Sequence, residues 1–398
     1  MKKLFQFAAV AMVATLFVNC QGDVSPETSS TKLWPAANKD GSKWGYIDQE
    51  GTDLVIEAQY GMTCEFSCKR GVVTNLSGSE YYVIDAKGKE IPTDALKEGT
   101  DGWFYYDCLR FTSSSGNEGM IDVDGNLVFP DDYPYLGRMS SSKLAVFAEK
   151  NGNKYLFGYL KKGEKHDWIS AKYDMADRFV DDVAVVMEGE EFGVISTEKG
   201  GKYLDEWKLT DKYQDISCLG EKRIGYWEKD ADACGLKDLS GEKHGSAKFK
   251  QIQPFTDSKL ARVRNDEKRY GYINPEGEVV IRCKYVAAYS FYEGVAWVRE
   301  EEGNWKLIDT NGEQLFKLRE DDSPQGNYHN GLCMVLKGGN FKYINKEGEA
   351  VDYTWTVGGG PEPDDAPARN RGLKTDAEMM ASTAYGPLFE NARMIIGD

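Results

Sequence analysis

From residue 40 to residue 357 the apolar positions fall in short alternating runs broken by Gly, Asp and Asn, with no long stretch at helical spacing. That pattern predicts short strands joined by tight turns. One run, Lys43-Trp44-Gly45-Tyr46-Ile47-Asp48, recurs in altered form: Tyr81-Tyr82-Val83-Ile84-Asp85, Glu118-Gly119-Met120-Ile121-Asp122, Phe157-Gly158-Tyr159-Leu160, Phe192-Gly193-Val194-Ile195, Cys234-Gly235-Leu236-Lys237-Asp238, Tyr270-Gly271-Tyr272-Ile273-Asn274, Trp305-Lys306-Leu307-Ile308-Asp309 and Phe341-Lys342-Tyr343-Ile344-Asn345. The second position of each copy falls at 45, 82, 119, 158, 193, 235, 271, 306 and 342, at intervals of 37, 37, 39, 35, 42, 36, 35 and 36. So even a period marks a repeat architecture.

A turn follows most copies, as in Asp48-Gln49-Glu50-Gly51, Asn274-Pro275-Glu276-Gly277 and Asp309-Thr310-Asn311-Gly312. Asp or Asn at the first place can accept from the backbone two residues on, and Gly at the fourth tolerates positive φ. A second strand then leads to an aromatic (Tyr60, Tyr173, Tyr213, Phe249, Tyr285), and six residues later comes a large apolar residue (Phe66, Phe179, Leu219, Phe255, Phe291). A third strand opens with an apolar-small-x-apolar run such as Val183-Ala184-Val185-Val186 or Val295-Ala296-Trp297-Val298. The expected fold is all-β: a tandem array of about nine three-stranded antiparallel repeats. A unit this small cannot bury its apolar face alone, so neighbours must stack. Trp44, Gly45, Tyr46, Tyr60, Phe66, Tyr173, Phe179, Tyr270, Gly271, Tyr285, Phe291 and Trp305 are expected as structural anchors of that stacking.

With Gly51, Tyr60 and Phe66, the Lys43–Asp48 run resembles the WG (KWG) β-repeat family of bacterial proteins, and the Tyr270–Trp297 copy is the next clearest. The resemblance covers roughly residues 40–350; only Trp44 and Trp305 keep the anchor Trp. It implies a binding or scaffolding module with no catalytic residues. The array is expected either to close as a propeller-like or toroidal arrangement or to stay open as a curved solenoid.

Two lysines and a 15-residue, largely apolar run, Leu4–Val18 with Gln6 and Thr15 in it, precede Cys20. The run is too short for a membrane span and reads as an export signal. Followed by Cys20 and a polar stretch, it resembles a bacterial lipoprotein signal, which implies lipidation at Cys20. The expected organisation is a signal peptide at 1–19, a lipidated Cys and flexible tether at 20–39, the repeat array at 40–357, and a Gly/Pro-rich linker and tail at 358–398. Net charge is −16, falling to about −18 once residues 1–19, with two lysines and no acid, are removed. A general basic footprint for nucleic acid is absent, and membrane contact is expected through the N-terminal lipid only. The expected location is the bacterial envelope, periplasmic or cell-surface side.

The side chains that could carry chemistry read more plainly as structure. Cys64 and Cys68, the one close cysteine pair, are a candidate disulfide in an exported protein. Cys333 and Cys234 occupy small or anchor positions of the repeat. His166, His244 and His329 share no repeat position, and no metal or cofactor is expected. Asp122-Val123-Asp124-Gly125-Asn126 resembles the start of a calcium loop, but Tyr133 stands where the twelfth-position acid belongs, so a turn is expected. Acidic clusters at Asp181-Asp182, Glu188–Glu191, Glu300–Glu302 and Asp321-Asp322 lie in expected turns. The leading functional expectation is a non-enzymatic envelope lipoprotein that binds or scaffolds protein or glycan. The alternative is a glycosidase-like hydrolase with a carboxylate pair drawn from different repeats.

Overall fold

The computed structural model describes residues 31–96 and 99–356. Nine small antiparallel sheets occupy them, each with its strands in consecutive order, the arrangement of a β-propeller blade. All nine anchors lie on strands, one per sheet, from Trp44–Ile47 in the first to Asn340–Ile344 in the ninth. The one helical element among the described residues is the 3-10 turn Asp205–Trp207. The expected signal peptide, Cys20 and the tail after residue 357 lie outside the described residues.

Eight sheets have four strands where three were expected, and the first has three. The additional strand is only two residues long in most sheets, as in Met62–Thr63, Tyr135–Leu136, Met175–Ala176 and Ala287–Ala288. Two residues cannot display an alternating pattern, so the strand is invisible to periodicity. It lies inside the six-residue spacer between the aromatic and the following apolar residue, which gives that fixed offset its physical cause. The sequence unit is also out of phase with the sheet. Val183–Glu188, expected as the third strand of the Phe157 copy, pairs instead with Glu191–Ser196 of the next anchor.

The array also begins earlier than residue 40. Trp34–Ala37, expected within the flexible tether, form a strand paired with Trp44–Ile47, and Trp34 is fully buried. Pro35 hides that strand in the sequence. It is tolerated because the strand has a partner on one side only in its sheet.

The glycine of the anchor is a matter of space. Between Trp44 and Tyr46, and again between Tyr270 and Tyr272, the register with the outer strand shifts. The bulge carries a carbonyl over the glycine: a Cβ on Gly45 would sit 2.2 Å from the Ile56 oxygen, and one on Gly271 would sit 2.5 Å from the Ile281 oxygen. The turn chemistry follows expectation. Asp48 Oδ1 accepts from the Glu50 amide and Asp122 Oδ1 from the Asp124 amide, while Gly51 and Gly125 take positive φ.

Residue contacts divide the described residues into two compact units, one within 31–131, 303–307 and 314–356, the other within 132–302 and 308–313. In the first unit the ninth sheet packs on the first. Trp34, Ile47, Phe341, Tyr343 and Trp355 share one apolar cluster. The Tyr353 amide donates to Gly51 O at 2.6 Å, and the Trp34 indole donates to His329 O at 2.8 Å. In the second unit the largest cluster runs from Tyr135 to Tyr226 across the fourth, fifth and sixth sheets.

Candidate functional site

The repeat aromatics form a recurring joint. The Tyr two places after the anchor aromatic sends its hydroxyl to a backbone carbonyl beyond the next short strand: Tyr46 to Cys64 at 2.7 Å, Tyr159 to Asp177 at 2.8 Å and Tyr272 to Tyr289 at 2.6 Å. Each of these rings meets the following Phe edge to face: Tyr46 with Phe66 at 4.9 Å, Tyr159 with Phe179 at 4.9 Å and Tyr272 with Phe291 at 4.6 Å. Such pairs add about 0.5–1.5 kcal/mol beyond their buried area. The anchor aromatic faces the aromatic ending the next strand, as in Trp44 opposite Tyr60, Phe157 opposite Tyr173 and Tyr270 opposite Tyr285. Trp305 is half-buried, and its carbonyl accepts from the Leu318 amide. Tyr46, Phe66, Tyr159, Phe179, Tyr272 and Phe291 are buried in these joints, whereas Trp44, Tyr60, Tyr270 and Trp305 are half-buried.

Cys64 and Cys68 are not joined to each other, so the candidate disulfide is not formed. Cys64 is buried, whereas Cys68 begins a turn at φ 47° and aims its sulfur at the Phe104 carbonyl. Several members of the acidic clusters are spent on structure. Asp181 accepts from the Lys222 amide, Asp182 from the Ser142 hydroxyl, Glu188 from the Tyr203 hydroxyl, and Asp322 from the Gly338 amide. Among the described residues no group of three or more His, Cys, Asp or Glu side chains is placed to hold a metal ion.

Two clefts open on the second unit. The larger, about 540 Å³, runs between the turns of the seventh and eighth sheets and is lined by Glu267, Arg269, Cys283, Lys284 and Glu300–Glu302. Two of its four carboxylates are paired: Arg269 meets Glu301 at 2.5 Å, and Lys284 meets Glu300 at 3.4 Å.

The second cleft, about 380 Å³, lies beside the 3-10 turn and is lined by residues 205–210 with Lys212, Tyr213, Lys237 and Gly241. It arises where the repeat interval stretches to 42. Phe192 there pairs with Thr210, and the extra residues loop out between Tyr203 and Thr210. Tyr213, expected as the aromatic that follows that copy's second strand, instead opens the sixth sheet. Trp207 folds inward to 2% exposure and donates its indole N–H to Asp238 O at 3.2 Å.

Lys237 is the side chain that sequence reasoning missed. At the same repeat position the other eight copies carry Ile47, Ile84, Ile121, Leu160, Ile195, Ile273, Ile308 and Ile344, none more than 4% exposed. Lys237 is 6% exposed. Its ammonium lies 5.8, 5.2 and 4.7 Å from the ring centres of Trp207, Tyr213 and Tyr226, and it donates to the Tyr213 hydroxyl at 2.8 Å. Burying an ammonium ion costs several kcal/mol after relaxation, and desolvated cation–π contacts return about 2 kcal/mol. Nearby, Glu228 pairs with Lys212 at 3.2 Å and Lys243 at 3.8 Å. Burial pushes the Glu228 carboxyl up, but Lys212 and Lys243 outweigh that and hold it below the ordinary glutamate value. The signal was present in the sequence as one Lys among eight aliphatics, next to the longest interval.

A family model described as "WG containing repeat" matches residues 270–305, the stretch holding Tyr270-Gly271-Tyr272, Tyr285 and Phe291. That stretch is a WG repeat. No curated protein sequence matches this chain. Among solved structures, the crystal structure of the eukaryotic initiation factor is similar, with a TM-score of 0.50 and 10% identity over 82% of this chain and 98% of that chain. At this identity the likeness is one of fold alone. The computationally designed Ika8 protein follows, with a TM-score of 0.39 and 12% identity over 73% and 94% of the two chains. BamB from Moraxella catarrhalis has a TM-score of 0.33 and 10% identity over 84% and 97%.

Proposed function

We propose that this chain is a non-enzymatic binding or scaffold module for a protein or glycan of the bacterial envelope, tethered by lipid at Cys20. One observation carries the reading. The positions that repeat from copy to copy, such as Tyr46, Tyr159 and Tyr272, are buried, while the positions that differ line the open clefts, such as Glu301 and Lys208. A rigid repeated scaffold with variable exposed turns is how repeat proteins present recognition surfaces. In the larger cleft Glu301 and Glu300 are tied to Arg269 and Lys284, an arrangement suited to polar recognition. Membrane attachment rests on Lys2, Lys3, the apolar run and Cys20.

Glycan and peptide arrays probed with the full chain test the binding reading. Reproducible hits on either array support it, and silence on both overturns it. Incorporation of labelled palmitate that disappears in Cys20→Ser tests the tether, and unchanged labelling overturns it.

A further inference from the structure

Lys237 stands where the other eight copies place Ile or Leu, so packing alone does not call for it. Its ammonium makes no ion pair among the described residues; its one hydrogen bond goes to Tyr213, which leaves two N–H donors. It also lines the cleft that the longest repeat interval creates. A buried cation with unused donors on an open cleft is half of an anion site. We propose that this cleft binds the carboxylate of a sugar acid, with Lys237 as the anion-binding group. The proposal deepens the binding-module reading and rests on it.

The rim decides the class of anion. Lys208 and Lys212 line the cleft with Lys237, but so do Asp205 and Glu206. Asp205 is held by Lys199 at 2.7 Å and by Lys208 at 4.0 Å. Glu206 makes no hydrogen bond or ion pair among the described residues, so it remains an acceptor on the rim. Inorganic phosphate would meet Glu206 as a like charge. A polyhydroxy carboxylate satisfies both signs: its carboxylate meets Lys237, and a hydroxyl donates to Glu206. Thr210 adds a neutral side chain that can both donate and accept. A peptide strand has no ladder to join here, because Thr210 already pairs with Phe192. A volume of about 380 Å³ is at the small end for ligand sites, which suits one sugar ring and its carboxylate.

The test is calorimetric titration of the full chain with D-galacturonic acid, trigalacturonate, galactose and inorganic phosphate. Galacturonate is expected to bind, with galactose and phosphate each weaker by about 30-fold or more. Tighter binding of trigalacturonate than of the monomer would identify an acidic glycan as the source, and equal binding a free sugar acid; both support the site. Lys237→Ile installs the residue found at this position in other copies, so it should keep the circular dichroism and melting temperature while weakening galacturonate by about 30-fold or more. Lys237→Met provides a second variant that keeps the length of the stem. Unchanged galacturonate affinity in both folded variants overturns the proposal. So does phosphate or an acidic peptide binding as tightly as galacturonate, or no galacturonate binding by the wild-type chain. Array hits that survive Lys237→Ile would leave the broader binding reading standing while this inference fails.

Discussion

The Tyr343 hydroxyl donates to the Pro35 carbonyl at 2.9 Å, across 308 residues of sequence. Tyr343 holds the same repeat position as Tyr46, Tyr159 and Tyr272, each of which bonds forward to the following sheet. The ninth copy therefore treats the first as its successor. Tyr343 is 2% exposed, so removing its hydroxyl strands a buried carbonyl. Tyr343→Phe is expected to cost about 1–3 kcal/mol in urea unfolding, and Tyr46→Phe a similar amount. A cost near zero for Tyr343→Phe beside a clear cost for Tyr46→Phe would show that the junction of ninth and first sheets is looser than the internal ones.

Gly271 and Gly116 make a matched comparison of space against backbone strain. A Cβ on Gly271 meets the Ile281 carbonyl at 2.5 Å, whereas one on Gly116 meets nothing within 4 Å but requires φ +81°. Gly271→Ala is expected to destabilise by about 3 kcal/mol, because backbone must move. Gly116→Ala should cost about 1 kcal/mol, the strain of a left-handed residue. Thermal melts of the two variants check the order, and equal costs would contradict the close-approach account.

The described thiols should divide by burial. Cys64, Cys108, Cys218, Cys234 and Cys333 are buried, and Cys68 and Cys283 are partly exposed. Burial pushes the Cys234 thiol up to about 12, leaving almost no thiolate at pH 8. An aromatic disulfide reagent on the native chain should modify Cys68 and Cys283 first and reach the other five only with denaturant. Peptide mapping that finds Cys234 labelled early would contradict the packing described.

Asp238 gives a pH dependence with a definite sign. Burial pushes its carboxyl up, but hydrogen bonds from Ser240, His244 and the Glu242 amide outweigh that and hold it at about 2. A carboxyl lowered in the folded state contributes stability above its unfolded value of 3.8, and that contribution is lost as pH falls toward 2. The stability gap between wild type and Asp238→Asn should be complete at neutral pH and close between about pH 4 and pH 2. Urea unfolding across that range is the measurement, and a gap independent of pH would contradict it.

Much of this architecture was legible because the strongest signals are local. The Trp44–Asp48 pattern, the Asx turns and the Tyr60–Phe66 offset each depend on neighbours in sequence, and all fall in the expected register. What escaped depends on distant partners. Met62–Thr63 is a strand only because Thr74 and Val73 lie beside it, and Trp34–Ala37 only because Trp44–Ile47 does. Tyr213 was misassigned because the aromatic spacing cannot reveal that residues 204–209 loop out before it. Lys237 was visible as one letter, but its burial among Trp207, Tyr213 and Tyr226 emerges only when that loop folds back.

The central claim is that within each unit the repeated sheets are joined by buried aromatics, the ninth to the first included in the first unit. Hydrogen–deuterium exchange of the native chain tests it most directly, read on peptides spanning 34–47 and 350–356 against the internal reference 270–285. The account predicts slow exchange of comparable extent in all three, with the Tyr353 amide protected by its bond to Gly51. Complete exchange of 34–47 and 350–356 at the earliest time point, with 270–285 still protected, would contradict it.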